Sequence, residues 1–462
     1  MDRLILPAIL VLALGLRLAY VAWLPADQAF RTVDARGYRA LAENLLEHGN
    51  FSLKEPTPSL LDAIRTPLYP AFLALVIAAA GGADGLAVPL AQALVDTATV
   101  AAVYGLGTSL AGVRRGRLAA LLYAVNPISF LLIGEAFSEV LLALVTALAF
   151  LAFAVAVQAH ERRAARLVLA GLLCGLCVLD KPNVFVLPLI LASGLLLGRR
   201  LSRRALGEAA LLVGTAMLVI LPWLIRNRVV YGEWFLSLAP EANVAHISAV
   251  ATMARVQGEE VAPWTQRWEQ IYMENVVVPA RVRYGWEEAP TPLTVDQAVQ
   301  RRHDMANVAQ AIIRDHPVAF VVAHARGVVR SFVPSLHRYW YGYLAGAPWP
   351  EAESLADVLR RGLGQARAGD RPGGLGLLWA WWDRQPLPAR ALWLLSVGVH
   401  VAGYVLVAAG LWSLRTRPAI LWAMGLTMLL YLVLPGPIAY VRFWVPIMPL
   451  ACAIIACSFD RR

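Results

Sequence analysis

The chain has 462 residues, 59% of them hydrophobic and only 16% charged, with a mean hydropathy of +0.59. An ordinary soluble domain carries about 25% charged residues, so a water-soluble globular enzyme is excluded and an integral membrane protein is implied. Lys plus Arg exceed Asp plus Glu by 41 to 31, but the excess sits in short clusters between apolar runs, where it reads as membrane orientation and not as a nucleic-acid surface.

Apolar runs fall near 4–24, 67–81, 86–111, 117–133, 136–157, 167–180, 183–198, 206–224, 391–414, 418–434 and 443–458. The first is about 21 residues, roughly 32 Å as a helix, and it reads as a retained anchor rather than a cleaved signal. Basic clusters decide which runs cross: Arg114-Arg115-Gly116-Arg117, Arg162-Arg163 with Arg166, Arg199-Arg200 with Arg203-Arg204, Arg415 with Arg417, and Arg461-Arg462. All should face the cytoplasm. If every run crossed from an inside N-terminus, each of these clusters would be inverted, and demoting one early run repairs them together. The run 67–81 is the natural choice, because it is only about 15 residues long, opens with Pro67-Leu68-Tyr69-Pro70 and ends in Gly81-Gly82, which suits an interfacial or re-entrant helix. The expectation is an all-α polytopic membrane protein with about ten transmembrane helices and both termini cytoplasmic.

Three parts follow. Residues 1–226 form an N-terminal transmembrane module whose first outer loop is 25–85; residues 227–390 are an extracytoplasmic region; residues 391–462 are C-terminal transmembrane helices. Within the second part, His316 to Pro334 carries His324, Arg326 and Arg330, which argues for a helix at the interface, with a buried span as the alternative. The four cysteines, Cys174, Cys177, Cys452 and Cys457, all lie in apolar runs, so no disulfide framework is implied, and the Cys174/Cys177 pair reads as small core residues before a metal or redox site.

In the first outer loop, Tyr38, Leu41, Ala42, Leu45 and Leu46 recur at spacings of three and four, giving an amphipathic surface helix stopped by Gly49. Asp34 stands at its N-terminus, where it serves either as a helix cap or as a rigidly aimed carboxylate. Glu135 and Glu139, between the third and fourth spans and on the same outer side, share a helical face if the helix begins early enough, and Glu139 with Ser138 also suits a plain helix start. Arg65, Lys181, Arg226 and Arg442 stand at four outer span ends. Each alone fits snorkelling or lipid headgroups, whereas together they suggest a cationic pocket for a phosphate or pyrophosphate. Arg17, inside the first span, lies close enough to the outer layer to snorkel there, and its role stays open.

The ordered set of Asp34 with its helix, Arg65-Thr66-Pro67-Leu68-Tyr69-Pro70, Asn126-Pro127, Ser138-Glu139, Asp180-Lys181-Pro182, Pro222-Trp223-Leu224-Ile225-Arg226-Asn227 and Arg442-Phe443-Trp444-Val445-Pro446 resembles the GT-C glycosyltransferases. Within these it looks most like the family 39 group related to protein O-mannosyltransferases and lipid A aminoarabinose transferases. The resemblance implies a GT-C helical bundle in a bacterial-type inner membrane. It also implies transfer of a sugar from a polyprenyl-phosphate donor to a glycan, lipid or protein acceptor at the extracytoplasmic face. Asp34 matches the family's catalytic base, and Glu139 the acidic position of the second loop. Glu135 is a further catalytic candidate, and Tyr69 and Arg17 are further substrate-binding ones. Arg65, Lys181, Arg226 and Arg442 would hold the lipid phosphate. Ala35 and Arg36 follow Asp34 where relatives carry a second acid, so no cofactor is expected to be required, with room left for an occasional divalent ion.

Two rivals remain. A ligase or polymerase using a pyrophosphate-linked donor would lean on Arg and His, and His303, His316, His324 and His337 lie in the large outer region. A transporter would place its ionisable groups midway through spans. Trp264, Trp268, Trp286 and Tyr339-Trp340-Tyr341 either stack on sugars or mark the membrane interface.

Overall fold

A computed structural model describes residues 4–25, 27–52, 63–83, 85–159, 161–198, 201–286, 295–332, 358, 361–362, 365, 371–438 and 441–459. Among these every regular element is helical and no strand occurs. The chain divides into two compact units, Met1–Arg330 with Val407–Arg462, and Ser331–Leu406. In the smaller unit, Tyr404 donates to the Phe332 carbonyl and Trp382 meets Trp393 edge-on.

In the larger unit the N-terminal helices are α1 (Ile5–Trp23), α2 (Val33–His48), α3 (Leu68–Ala80), α4 (Ala87–Ala111), α5 (Val113–Val125), α6 (Glu139–Gln158), α7 (Arg163–Asp180), α8 (Leu187–Gly198) and α9 (Arg203–Tyr231). Five described helices are long and apolar enough to cross a membrane: α1, α4, α6, α9 and a helix beginning at Leu387; α5 with the bent segment Pro127–Gly134 makes a sixth if the pair is one span. Helix α3 has 13 residues, too short at 1.5 Å per residue to span, and it packs through Tyr69, Leu73 and Ile77 on Ala35 and Ala42 of α2. Pro67 precedes it and Gly81, at φ 73°, ends it.

Small residues let the long helices close on one another. A Cβ on Gly171 would lie 2.4 Å from the Leu212 carbonyl oxygen and one on Gly175 2.8 Å from that of Ala216, so α7 meets α9 backbone to backbone. One end of the unit gathers basic loops: Arg115 reaches the Phe459 carbonyl, Arg417 reaches Ser109 and Gln158, and Arg163 and Arg204 share Glu208. The other end holds α2, where the backbone N–H of Leu238 donates to the Ala63 carbonyl and Arg226 to that of Phe51.

Arg17 does not rise to that surface. It is fully buried, with Nη2 2.6 Å from Asp96 Oδ2 and Nη1 donating to the Ala13 and Ala124 carbonyls, while Tyr123 donates to Asp96 Oδ1 at 2.6 Å. The network ties α1 to α4 and α5, and it gives Arg17 a structural task in place of the substrate-binding one. Removing one partner of a buried ion pair costs about 3–5 kcal/mol. Arg17→Met is therefore expected to lower thermal stability and yield in detergent, and the added Asp96→Leu change to restore much of the loss. An unchanged melting temperature for Arg17→Met would contradict this.

Candidate active site

Thr32 and not Asp34 caps α2: its Oγ1 accepts from the Ala35 N–H at 3.2 Å. Asp34 is thereby free to point outward from the first turn. Its carboxylate is half-exposed and meets two guanidiniums, Arg442 Nη1 3.1 Å from Oδ2 and Arg65 Nη2 3.5 Å from Oδ1. Arg65 can come so close because Gly37 has no side chain; a Cβ there would lie 2.5 Å from Arg65 Nη2. Burial pushes the Asp34 carboxyl up, but the charges of Arg442 and Arg65, the Arg442 hydrogen bond and the Lys181 charge together hold it below the usual aspartate range.

Glu139 begins α6, and its side chain is 2% exposed. Ser138 precedes it without a side-chain capping bond, so a plain capped start does not describe this end. Lys181 Nζ donates to Glu139 Oε1, and Arg442 Nε lies 3.7 Å from the same oxygen. Arg442 therefore stands between the two acids. Aromatic faces steady the cations: Phe137 and Phe443 lie 5.2 and 5.4 Å from the Arg442 guanidinium, Phe443 is 5.8 Å from Lys181 Nζ, and Tyr38 is 5.1 Å from Arg65. The result is two carboxylates and three cations drawn from α2, the segment before α3, α6, the end of α7 and the segment Val441–Ile447.

Other candidates lie elsewhere. Arg226 donates to Asn227 Oδ1 at 2.9 Å and the Phe51 carbonyl at 3.0 Å, among the rings of Phe51, Trp223 and Tyr231. Tyr69 is fully buried, donates to Gln92 and packs edge-on against Tyr38, so it supports the site from behind. Glu135 accepts from Gln28 Nε2 at 2.6 Å, and its other oxygen is buried with no hydrogen-bond partner among the described residues. Burial raises its carboxyl to about 7, against the smaller lowering by Gln28 and Arg31. A carboxyl raised on folding favours the folded state less as pH climbs from its unfolded value to about 7. Glu135→Gln should therefore leave the melting temperature near that of the parent at pH 5 and raise it at pH 8; equal offsets at both pH values would refute this.

Of the histidines, His303 sits between Glu233 and Glu241, and His324 bonds the Val433 carbonyl. His337 and Tyr339-Trp340-Tyr341 lie outside the described residues. All four cysteines are buried, with Thr146 Oγ1 3.7 Å from Cys177 Sγ. Asp180 and Phe443 stand in the ordered motif set without a role of their own, and Phe137 was not singled out at all. Asp180 is buried beside Lys181, with the Ser138 hydroxyl as its nearest hydrogen-bonding side chain among the described residues. An acid ending an apolar run directly before a lysine was the available signal.

Residues 64–225, which include Arg65, Glu139 and Lys181, match the profile of the dolichyl-phosphate-mannose-protein mannosyltransferase family. The fold is similar to the oligosaccharyltransferase of Archaeoglobus fulgidus. The apo form superposes with a TM-score of 0.52 at 14% identity, over 98% of this chain and 50% of that one. The same archaeal protein, AglB, in complex with an inhibitory peptide and a dolichol-phosphate, gives 0.51 at 14% identity with the same coverage. The chain resembles the GT-C glycosyltransferases. At this identity the structural likeness is one of fold alone, and the chain spans about half the length of the solved structures it matches. No curated protein matches it in sequence.

Among the described residues no three His, Cys, Asp or Glu side chains gather as a metal site. The two acids of the candidate site already face Arg442, Arg65 and Lys181, and a resident divalent cation would have to displace these charges.

Proposed function

We propose that the chain transfers a sugar from a polyprenyl-phosphate donor to an acceptor hydroxyl at the extracytoplasmic face of a bacterial-type inner membrane, with inversion at the anomeric carbon. About ten crossings then place the Arg115, Arg163 and Arg417 end in the cytoplasm, following the positive-inside preference. The observation that carries the reading is the half-exposed Asp34 carboxylate beside Arg442, Arg65 and the Lys181–Glu139 pair. The family match over residues 64–225 supports it.

Transfer from a lipid phosphate passes through an oxocarbenium-like state, with negative charge growing on the leaving phosphate and a proton leaving the acceptor hydroxyl late. Cations placed in advance stabilise the first, and a carboxylate receives the second. Arg442, Lys181 and Arg65 take the phosphate; Asp34 orients the acceptor hydroxyl and accepts its proton on the opposite face. A phosphate drawing Arg442 toward itself also loosens the hold of Arg442 on Asp34, so donor binding makes the base stronger. Glu139 stays buried and fixes Lys181 and Arg442.

The test is transfer in membranes supplied with polyprenyl-phosphate and polyprenyl-pyrophosphate sugars. The reading expects product from the monophosphate donors with inverted configuration. Product from pyrophosphate donors alone would favour the ligase-like chemistry and overturn it.

A further inference from the structure

A second pocket lies away from the acid and cation cluster, in the region after α9. Its charged lining is Arg255, Arg326, Arg330, Glu260 and Glu259, the last paired with Arg267 at 2.6 Å, and Trp268 and Pro437 close it on the apolar side. Arg326 Nη1 is neutralised by Glu260 at 2.8 Å. Among the described residues the guanidiniums of Arg255 and Arg330 meet no hydrogen-bond or ion-pair partner, and both residues are exposed. Unpaired guanidiniums converging on one pocket suit a carboxylate or a phosphate.

An exposed aromatic residue follows the pocket-lining Pro263. Trp264, next to Pro263, holds a positive φ of 66°, a conformation that bulky L residues rarely adopt, and its indole is 55% exposed. It is fixed there by its neighbours. His246 lies 5.0 Å from the Trp264 ring, is held by Glu269 at 2.9 Å and meets Tyr272 edge-on, while Trp268 donates to the His246 carbonyl. A solvent-facing indole one residue from the pocket lining, on a chain that also presents two exposed arginines there, suits a sugar ring that carries a negative group.

The pocket also adjoins the first site through one short segment. Pro437 closes this pocket, and Pro435 lines a cleft with Lys181 and Phe443. Only Gly436 separates them, at φ 49°, where the His324 ring would meet any added Cβ at 2.5 Å.

We propose that this pocket is the acceptor subsite and binds an acidic saccharide, one bearing a carboxylate or a phosphate. Its role as acceptor subsite rests on the sugar-transfer reading, but the binding itself does not. Binding is therefore measured by ligand-observed NMR on the full chain in detergent, in both the parent and Asp34→Asn. The probes are glucuronic acid, glucose 6-phosphate, methyl glucoside and inorganic phosphate.

Both charged sugars should bind at least about ten-fold tighter than methyl glucoside. The Arg255→Gln/Arg330→Gln double variant should remove that preference, and Trp264→Ala should weaken the charged sugars while leaving inorganic phosphate unchanged. These residues are exposed, so the fold is retained, and the melting temperature checks it. Equal binding of methyl glucoside, no binding of either charged sugar, or an unchanged double variant would overturn the proposal. So would inorganic phosphate binding as tightly as glucose 6-phosphate, which marks a bare anion site. Charged sugars that bind without any Asp34-dependent transfer would sink the transfer reading alone; Asp34-dependent transfer without such binding would sink the pocket alone.

Discussion

Asp34→Asn is expected to lower sugar transfer by about two to four orders of magnitude, the range of general base catalysis, with normal amounts of protein in the membrane. The substitution keeps the size of the side chain, and its carbonyl can still accept from Arg442. It does not unravel α2, because Thr32 supplies the cap. What it removes is a charged acceptor for the hydroxyl proton. Transfer rates and membrane levels measured together distinguish a lost base from a lost fold. Full activity would end the proposed mechanism.

Arg442→Gln should lower kcat/KM for the donor by about 10²–10³-fold, comparable to removing one preorganised donor from a developing anion. Arg442 is the residue that touches both acids, so its loss has a second signature. A base must be deprotonated, and activity falls as pH drops through its pKa. Burial raises the Asp34 carboxyl, while Arg442 and Arg65 more than offset this. Without Arg442 the carboxyl rises, and the acid limb of the kcat/KM profile, which reports the free enzyme, moves to higher pH. A variant impaired only in acceptor KM, with the acid limb unmoved, would contradict the role given to Arg442.

Much of the fold was legible because apolar runs and helix stops are written locally. The run 67–81 was short between Pro67 and Gly81, and α3 is a 13-residue helix. The α2 pattern ended at Gly49, which adopts φ 66°. Crossings were harder to read. The run 117–133 bends by 55° between α5 and Pro127–Gly134, and α8 keeps only 12 residues of the run 183–198. Hydropathy reports length in sequence and not whether an apolar segment stays straight.

At the site, charge alone could nominate Arg65, Lys181, Arg226 and Arg442, yet it could not sort them. Arg226 bonds backbone and rings beside it, and Arg17 is drawn to Asp96 from a helix far away in sequence. Each choice depends on which partner the tertiary fold brings within reach. Thr32, two residues before Asp34, illustrates the same point locally. Both residue types suit a cap, and only the backbone at the start of α2 decides that Thr32 takes the N–H and leaves Asp34 free.

The central claim is tested most directly by a structure of Asp34→Asn with an intact polyprenyl-phosphate sugar bound. The account predicts the donor phosphate within about 3 Å of Arg442 and Lys181, with the anomeric carbon turned toward residue 34. A phosphate seated at Arg226, or anywhere out of reach of Arg442 and Lys181, would contradict it.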